Sequence, residues 1–152
     1  MKQFHFSLQS VHNFREMRRD KAERALAAAL GELRGAQVQL ETVLRRRQSA
    51  MENYLKVHQS AEIEAATFAT HTDYIGSLFQ LERHSRGTIL QLEEKIAIKR
   101  LALIEASRQT ETTANLRDRQ RERHYQEIAQ HEQKMLDEMA VAGVARRLAN
   151  GY

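Results

Sequence analysis

The sequence predicts an all-α protein in which two long helices form an antiparallel coiled-coil hairpin over residues 1–152. Three observations carry this reading. Proline is absent from all 152 residues and glycine occurs six times, so nothing forces a long helix to break. From Leu26 to Tyr54, apolar and long side chains recur in alternating steps of four and three, the spacing of a coiled-coil seam. Aromatic residues make up 6% and tryptophan is missing, which suits apolar stripes better than a compact core.

The N-terminal segment alternates Phe4, Phe6 and Leu8. With no second strand in the chain to pair with, it reads as the approach to a helix, with Ser7 as N-cap. The first helix is expected over about 7–65. Its main seam is Leu26, Leu30, Leu33, Gln37, Leu40, Leu44, Arg47, Met51 and Tyr54, preceded by Leu8, Val11, Arg15, Arg18, Ala22, Ala25 and Ala29 one position out of register. Gly31 and Gly35 read as tolerated softening of the helix. A turn is expected over about 66–73, where three threonines cluster and Thr72 or Asp73 can cap the second helix.

The second helix is expected over about 74–147. Its seam reads Ile75, Leu78, Glu82, Ser85, Ile89, Leu92, Ile96, Lys99, Leu103 and Ala106. The apolar signal fades between Ser107 and His124 and returns with Tyr125, Ile128, Met135, Met139 and Ala142. Folding at about residue 70 sets Leu44 near Ile96 and Met51 near Ile89, with the polar stretch 107–124 opposite the alanine-rich 15–33.

Composition excludes several chemistries. Without cysteine there is no disulfide framework and no thiolate metal site. His124, Glu127 and His131 share a helical face but lack a second matching set, so no metal or other cofactor is expected. No glycine-rich phosphate loop or nucleophile–base set is present, so no enzymatic activity is expected. No stretch is apolar enough for a transmembrane segment or a signal peptide. The formal net charge of +4 favours acidic partners mildly. The arginines at 117, 119, 121 and 123 are interleaved with Asp118 and Glu122, which argues against nucleic-acid binding, although a basic coiled-coil nucleic-acid binder stays an alternative. A surplus of large apolar residues near the turn, at Tyr54, Phe68, Tyr74, Leu78, Phe79 and Leu81, is more than one narrow seam can cover and reads as a partly exposed contact patch.

The start Phe4-His-Phe6-Ser-Leu8-Gln9-Ser10-Val11 with Arg15-Glu16, the pair Tyr74-Ile75 with Leu78, and Glu132-Gln-Lys134-Met-Leu136-Asp137-Glu138-Met-Ala140 near the end resemble the FliJ family of flagellar type III export stalk proteins. His12 departs from the leucine expected there. The resemblance implies a non-enzymatic stalk and adaptor, cytoplasmic and peripheral at the cytoplasmic face of the inner membrane. It implies that the end carrying both termini engages the export ATPase hexamer ring, the other end reaches the membrane export gate protein, and export chaperones are escorted. On this reading the ring contact comprises Leu8, Val11, Arg15, Arg18, Arg19, Met135 and Met139, with Arg146 and Arg147 nearby. The gate contact comprises Tyr54, Tyr74, Leu78 and Leu81. The equivalent stalk of a virulence-type secretion system is the alternative.

Overall fold

The computed structural model describes residues 3–59 and 65–149. It contains two helices, α1 (Gln9–His58) and α2 (Ala65–Ala149), packed antiparallel as a hairpin. No described residue has a positive φ, and no described peptide bond is cis. The chain divides into two compact units. One joins Met1–Arg19 to Ala106–Tyr152, and the other comprises Asp20–Glu105.

In the 20–105 unit the α2 seam is the expected one. Ile75, Leu78, Glu82, Ser85, Ile89, Leu92, Ile96, Lys99 and Leu103 are all buried or half-buried. The α1 seam differs from the expected one at every second position. Leu26, Leu33, Leu40, Arg47 and Tyr54 face inward, but Ala29, Ala36, Val43 and Ala50 stand where Leu30, Gln37, Leu44 and Met51 were expected. Gln37 and Met51 are exposed, and Leu30 and Leu44 are displaced to the flank and half-buried.

The register explains the preference for small residues. Arg47 reaches Glu82, and Lys95 Nζ donates to Glu32 Oε2 at 2.7 Å. These long side chains reach diagonally between layers, and the register they fix puts Ala29 about level with Ile96, Ala36 with Ile89, Ala50 with Ile75, and Leu40 with Ser85. A small side chain thus meets a large one in each of these layers, which lets two helices close without a third. Ala29 is 1% exposed and Ile96 3%. The hydrogen bond from Lys95, and then its charge, hold the exposed Glu32 carboxyl below the usual carboxylate range.

Residues 66–73, read as the turn, are helical, and α1 ends at His58 rather than near 65. The threonines do not stop the helix because Thr70 and Thr72 bond back to the carbonyls of Ala66 and Phe68, at 2.9 and 3.0 Å, a satisfied arrangement inside a helix. Neither Thr72 nor Asp73 is a cap. The pairing of Leu44 with Ile96 and of Met51 with Ile89 fails for the same reason. In the observed register Leu44 lies about level with Glu82 and Met51 about level with Ile75.

Packing in the seam sets the stability. Ile96→Ala should destabilise the protein by about 2–4 kcal/mol. Leu101→Ala, at a residue 68% exposed, should change it by less than about 0.5 kcal/mol. Urea unfolding followed by circular dichroism checks both, and equal losses would refute the layer assignment.

Candidate interaction surfaces

The unit built from the two ends of the chain has a polar seam. α2 continues its heptad through Thr110, Thr113, Arg117, Gln120 and His124, all buried or half-buried, so the spacing never lapses and only the apolarity does. Its counterpart is the N-terminal segment and the first turns of α1 up to Arg19, and not the rest of the alanine-rich 15–33. His12, 2% exposed, places Nδ1 2.9 Å from Thr113 Oγ1. That hydroxyl oxygen also lies 2.9 Å from the Thr110 carbonyl, so it joins His12 to the α2 backbone. His12 Nε2 lies 3.5 Å from Glu16. Arg15 donates to the Gln109 carbonyl at 2.9 Å. Thus the histidine that stands where the family resemblance expects leucine is hydrogen-bonded inside the seam.

The N-terminal segment is tied down by its phenylalanines. The Phe4 ring packs against His124 with centroids 5.7 Å apart, and Phe6 is 4% exposed. α1 starts at Gln9, two residues beyond the expected Ser7 cap. Gln9 N–H donates to the Phe6 carbonyl and His12 N–H to the Leu8 carbonyl, so the chain rounds a turn into the helix. The His124 ring is tilted against two others, at 5.7 Å from Phe4 and 5.9 Å from Tyr125. Among the described residues no group of three or more His, Asp or Glu gathers to hold a metal.

Pairing in this unit reaches Ile128 and then stops. From Ala129 to Leu148 every residue except Gly143 is exposed. This overhang carries Met135, Leu136, Met139, Val141, Val144 and Leu148, all more than half exposed. Ala140, Val141, Val144, Ala145 and Leu148 line one shallow apolar hollow. The misplaced turn hid the overhang: folding at about residue 70 would have paired much of it with α1.

The expected ring-contact residues fall into two sets. Leu8, Val11, Met135 and Met139 are exposed, and Arg18 is exposed with its guanidinium 5.9 Å from the Phe14 ring. Arg15 and Arg19 are half-buried, and Arg15 is committed to the Gln109 carbonyl. Leu136, Val141, Val144 and Leu148 belong to the same exposed surface and are not among the expected contact residues.

The expected gate-contact residues also divide. Tyr74 and Leu81 are 49% and 44% exposed, and half-buried Tyr54 packs its ring 5.8 Å from Phe68. Leu78 is not part of an exposed patch. It is 4% exposed and sits in the seam, so it supports the patch from beneath. Beside it, Glu82 accepts from Arg47 on one oxygen and from Arg86 at 3.0 Å on the other, and the Arg47 guanidinium lies 5.0 Å from the Phe79 ring.

The model of the flagellar FliJ protein family matches residues 4–149. The chain belongs to the FliJ family. Its fold is also that of a YscO homolog from Chlamydia trachomatis, with a TM-score of 0.64, 15% sequence identity, and coverage of 98% of this chain and 99% of that one. Comparison with curated protein sequences gives no match. Membership fits a type III export stalk protein, in a family of structural stalks and adaptors. Among the described residues no helix is long and apolar enough to cross a membrane.

The polar seam predicts its own sensitivity. Thr113→Val removes the hydroxyl facing buried His12 and should cost about 1–3 kcal/mol, whereas Thr113→Ser keeps the bond and most of the stability. Thermal unfolding compares the two, and indistinguishable variants would show that the hydrogen bond contributes nothing.

Proposed function

We propose that this FliJ-family chain is a non-enzymatic stalk and adaptor of the flagellar protein export apparatus. In this reading it links the export ATPase hexamer ring to the membrane export gate protein and escorts export chaperones. It works in the cytoplasm, peripheral to the inner membrane. The observation that carries the ring contact is the overhang of α2: a hairpin needs no such extension for its own packing, and the extension keeps large apolar residues in water. Exposed apolar groups of this density mark a binding surface. Met135 and Met139 are unbranched and adapt to non-identical faces, and Leu8, Val11 and Arg18 stand exposed on the same unit. Arg15 and Arg19 join the contact through their half-buried stems. The equivalent stalk of a virulence-type secretion system has the same requirements, and the flagellar family model favours the flagellar assignment.

Replacing Met135 and Met139 by aspartate, or Arg18 by glutamate, should weaken binding to the purified ATPase hexamer. The losses should be about tenfold or more for the methionine pair, with smaller, salt-sensitive losses for Arg18, since exposed charges are screened over about 8 Å at physiological ionic strength. Unchanged affinity in both variants, with helicity intact, would remove this surface from the ring contact.

The gate contact is assigned to Tyr54, Tyr74 and Leu81 over the supporting Leu78. Tyr74→Ala with Leu81→Ala should reduce binding to the soluble domain of the gate protein while leaving ring binding and unfolding unchanged. Leu78→Ala should instead lower stability. Surface plasmon resonance beside a melting curve separates the two, and full gate affinity in the double variant would refute the assignment.

A further inference from the structure

Within the 20–105 unit, the heptad that builds the seam also builds two flanks. One residue after the inward-facing Ala29, Ala36, Val43 and Ala50 come Leu30, Gln37, Leu44 and Met51. One residue after Leu78, Ser85, Leu92 and Lys99 come Phe79, Arg86, Glu93 and Arg100. Equal heptad offsets on two antiparallel helices fall on the same side of the pair, so these eight positions share one broad face. Leu90, Ala97 and Ile104 border it on α2, one residue after Ile89, Ile96 and Leu103. Leu90 is 66% exposed, and Phe79, Ile104 and Met51 are 44–47% exposed. The opposite flank is mostly small or polar along its middle, with Ala25, Glu32 and Gln39 on α1 and Thr88, Lys95 and Ala102 on α2, and the Glu32–Lys95 pair closes it.

We infer that the apolar face is a self-association surface for a second copy of this chain, packed about a two-fold axis at Leu90. The charges select this occupant and this axis. Arg86, Glu93 and Arg100 succeed one another at intervals of one heptad. A two-fold axis at Glu93 sets arginine against arginine and glutamate against glutamate. An axis near Leu90 sets Arg86 against Glu93 and Glu94 of the second copy, and the reverse, with Leu90 against its own equivalent. Leu30 and Leu44 straddle the same axis on α1 to within about one helical turn, because the Lys95–Glu32 contact brings Leu90 level with the stretch between them. One symmetry element therefore serves both helices, as an isologous interface requires.

The footprint is large enough. About 25 residues of two adjacent helices cover roughly 38 by 20 Å, or about 1,500 Å² over both copies, the size of a standard specific interface. The proposal concerns the purified chain alone and is independent of the export reading.

The absence of cysteine from the chain gives a direct test. Leu90→Cys places two thiols at the axis, and Ile98→Cys, 64% exposed on the other side of α2, is the control. Under mild oxidation the Leu90→Cys protein should form a disulfide-linked dimer at least tenfold faster than the control. In sedimentation equilibrium the parent should show a salt-weakened dimer, Arg86→Glu should be monomeric, and the triple variant R86E/E93R/E94R should recover dimerisation. Mixing Arg86→Glu with the double variant E93R/E94R should give a heterodimer that neither forms alone. A monomeric parent at 100 µM in low salt, equal cross-linking at 90 and 98, or charge variants that do not complement would each overturn the inference. Circular dichroism on every variant separates loss of association from loss of fold.

Discussion

Two helices have only one interface between them, and the way that interface is filled governs the rest of this protein. Neither helix can bury more than a stripe, so stability depends on how closely the backbones approach. Alanine against isoleucine and serine against leucine allow that approach while still filling each layer. The same alternation makes the register expensive to change. A slide of one layer would set isoleucine against leucine in some places and leave alanine against serine in others, with overpacking and cavities each costing about 1–3 kcal/mol or more. The Arg47–Glu82 pair works in the same direction, since an acid that is 8% exposed keeps only Arg86 of its own helix in any other register. Polar residues at seam positions are well suited to specifying register at a cost in stability.

The unit that joins the two chain ends meets the same constraint with different chemistry. Threonine, glutamine, histidine and arginine occupy its α2 seam, and His12 and Arg15 answer from α1. Hydrogen bonds of this kind contribute less than apolar burial but are costly to leave unmade. Such a seam is specific without being strongly stable. Phe4 and Phe6 supply the apolar closure that the helical part of this unit lacks, which is why the N-terminal segment is ordered although it is not helical.

The sequence disclosed the fold class and the α2 seam from Ile75 to Ala106, because large apolar residues occupy most seam positions there. It disclosed only half of the α1 seam. A heptad stripe has two interleaved sets, and in α1 one set is alanine and valine with a leucine or methionine immediately beside several of them. Choosing the larger neighbour is natural on hydrophobicity and wrong in a two-helix pair, where the partner already fills the layer. The turn was misread because threonine can satisfy its hydroxyl on a carbonyl four residues back, so Thr70 and Thr72 cost the helix little. That one displacement accounts for two others: the pairing of 107–124, and the overhang beyond Ile128. Leu78 was placed in an exposed patch although its own heptad position put it in the seam. Exposure of Tyr74 and Leu81 was legible, since their positions flank that seam.

The flank opposite the Glu32–Lys95 pair shows what a hairpin leaves unsolved. Residues one heptad apart lie about 10.5 Å from each other along a helix, further than a Debye length at physiological salt, so Arg86, Glu93 and Arg100 do not neutralise one another. Arg86 has Glu82 within its own helix, yet that carboxylate is already shared with Arg47. Apart from the Arg86–Glu82 pair, the alternation of sign at a fixed interval is not needed to fold the hairpin, because these positions lie outside the seam. It acquires one only against a surface with the complementary alternation, and the nearest such surface is the same face turned end for end. Leu90 then passes from the largest apolar exposure on that face to its centre, where burial of a leucine contributes most.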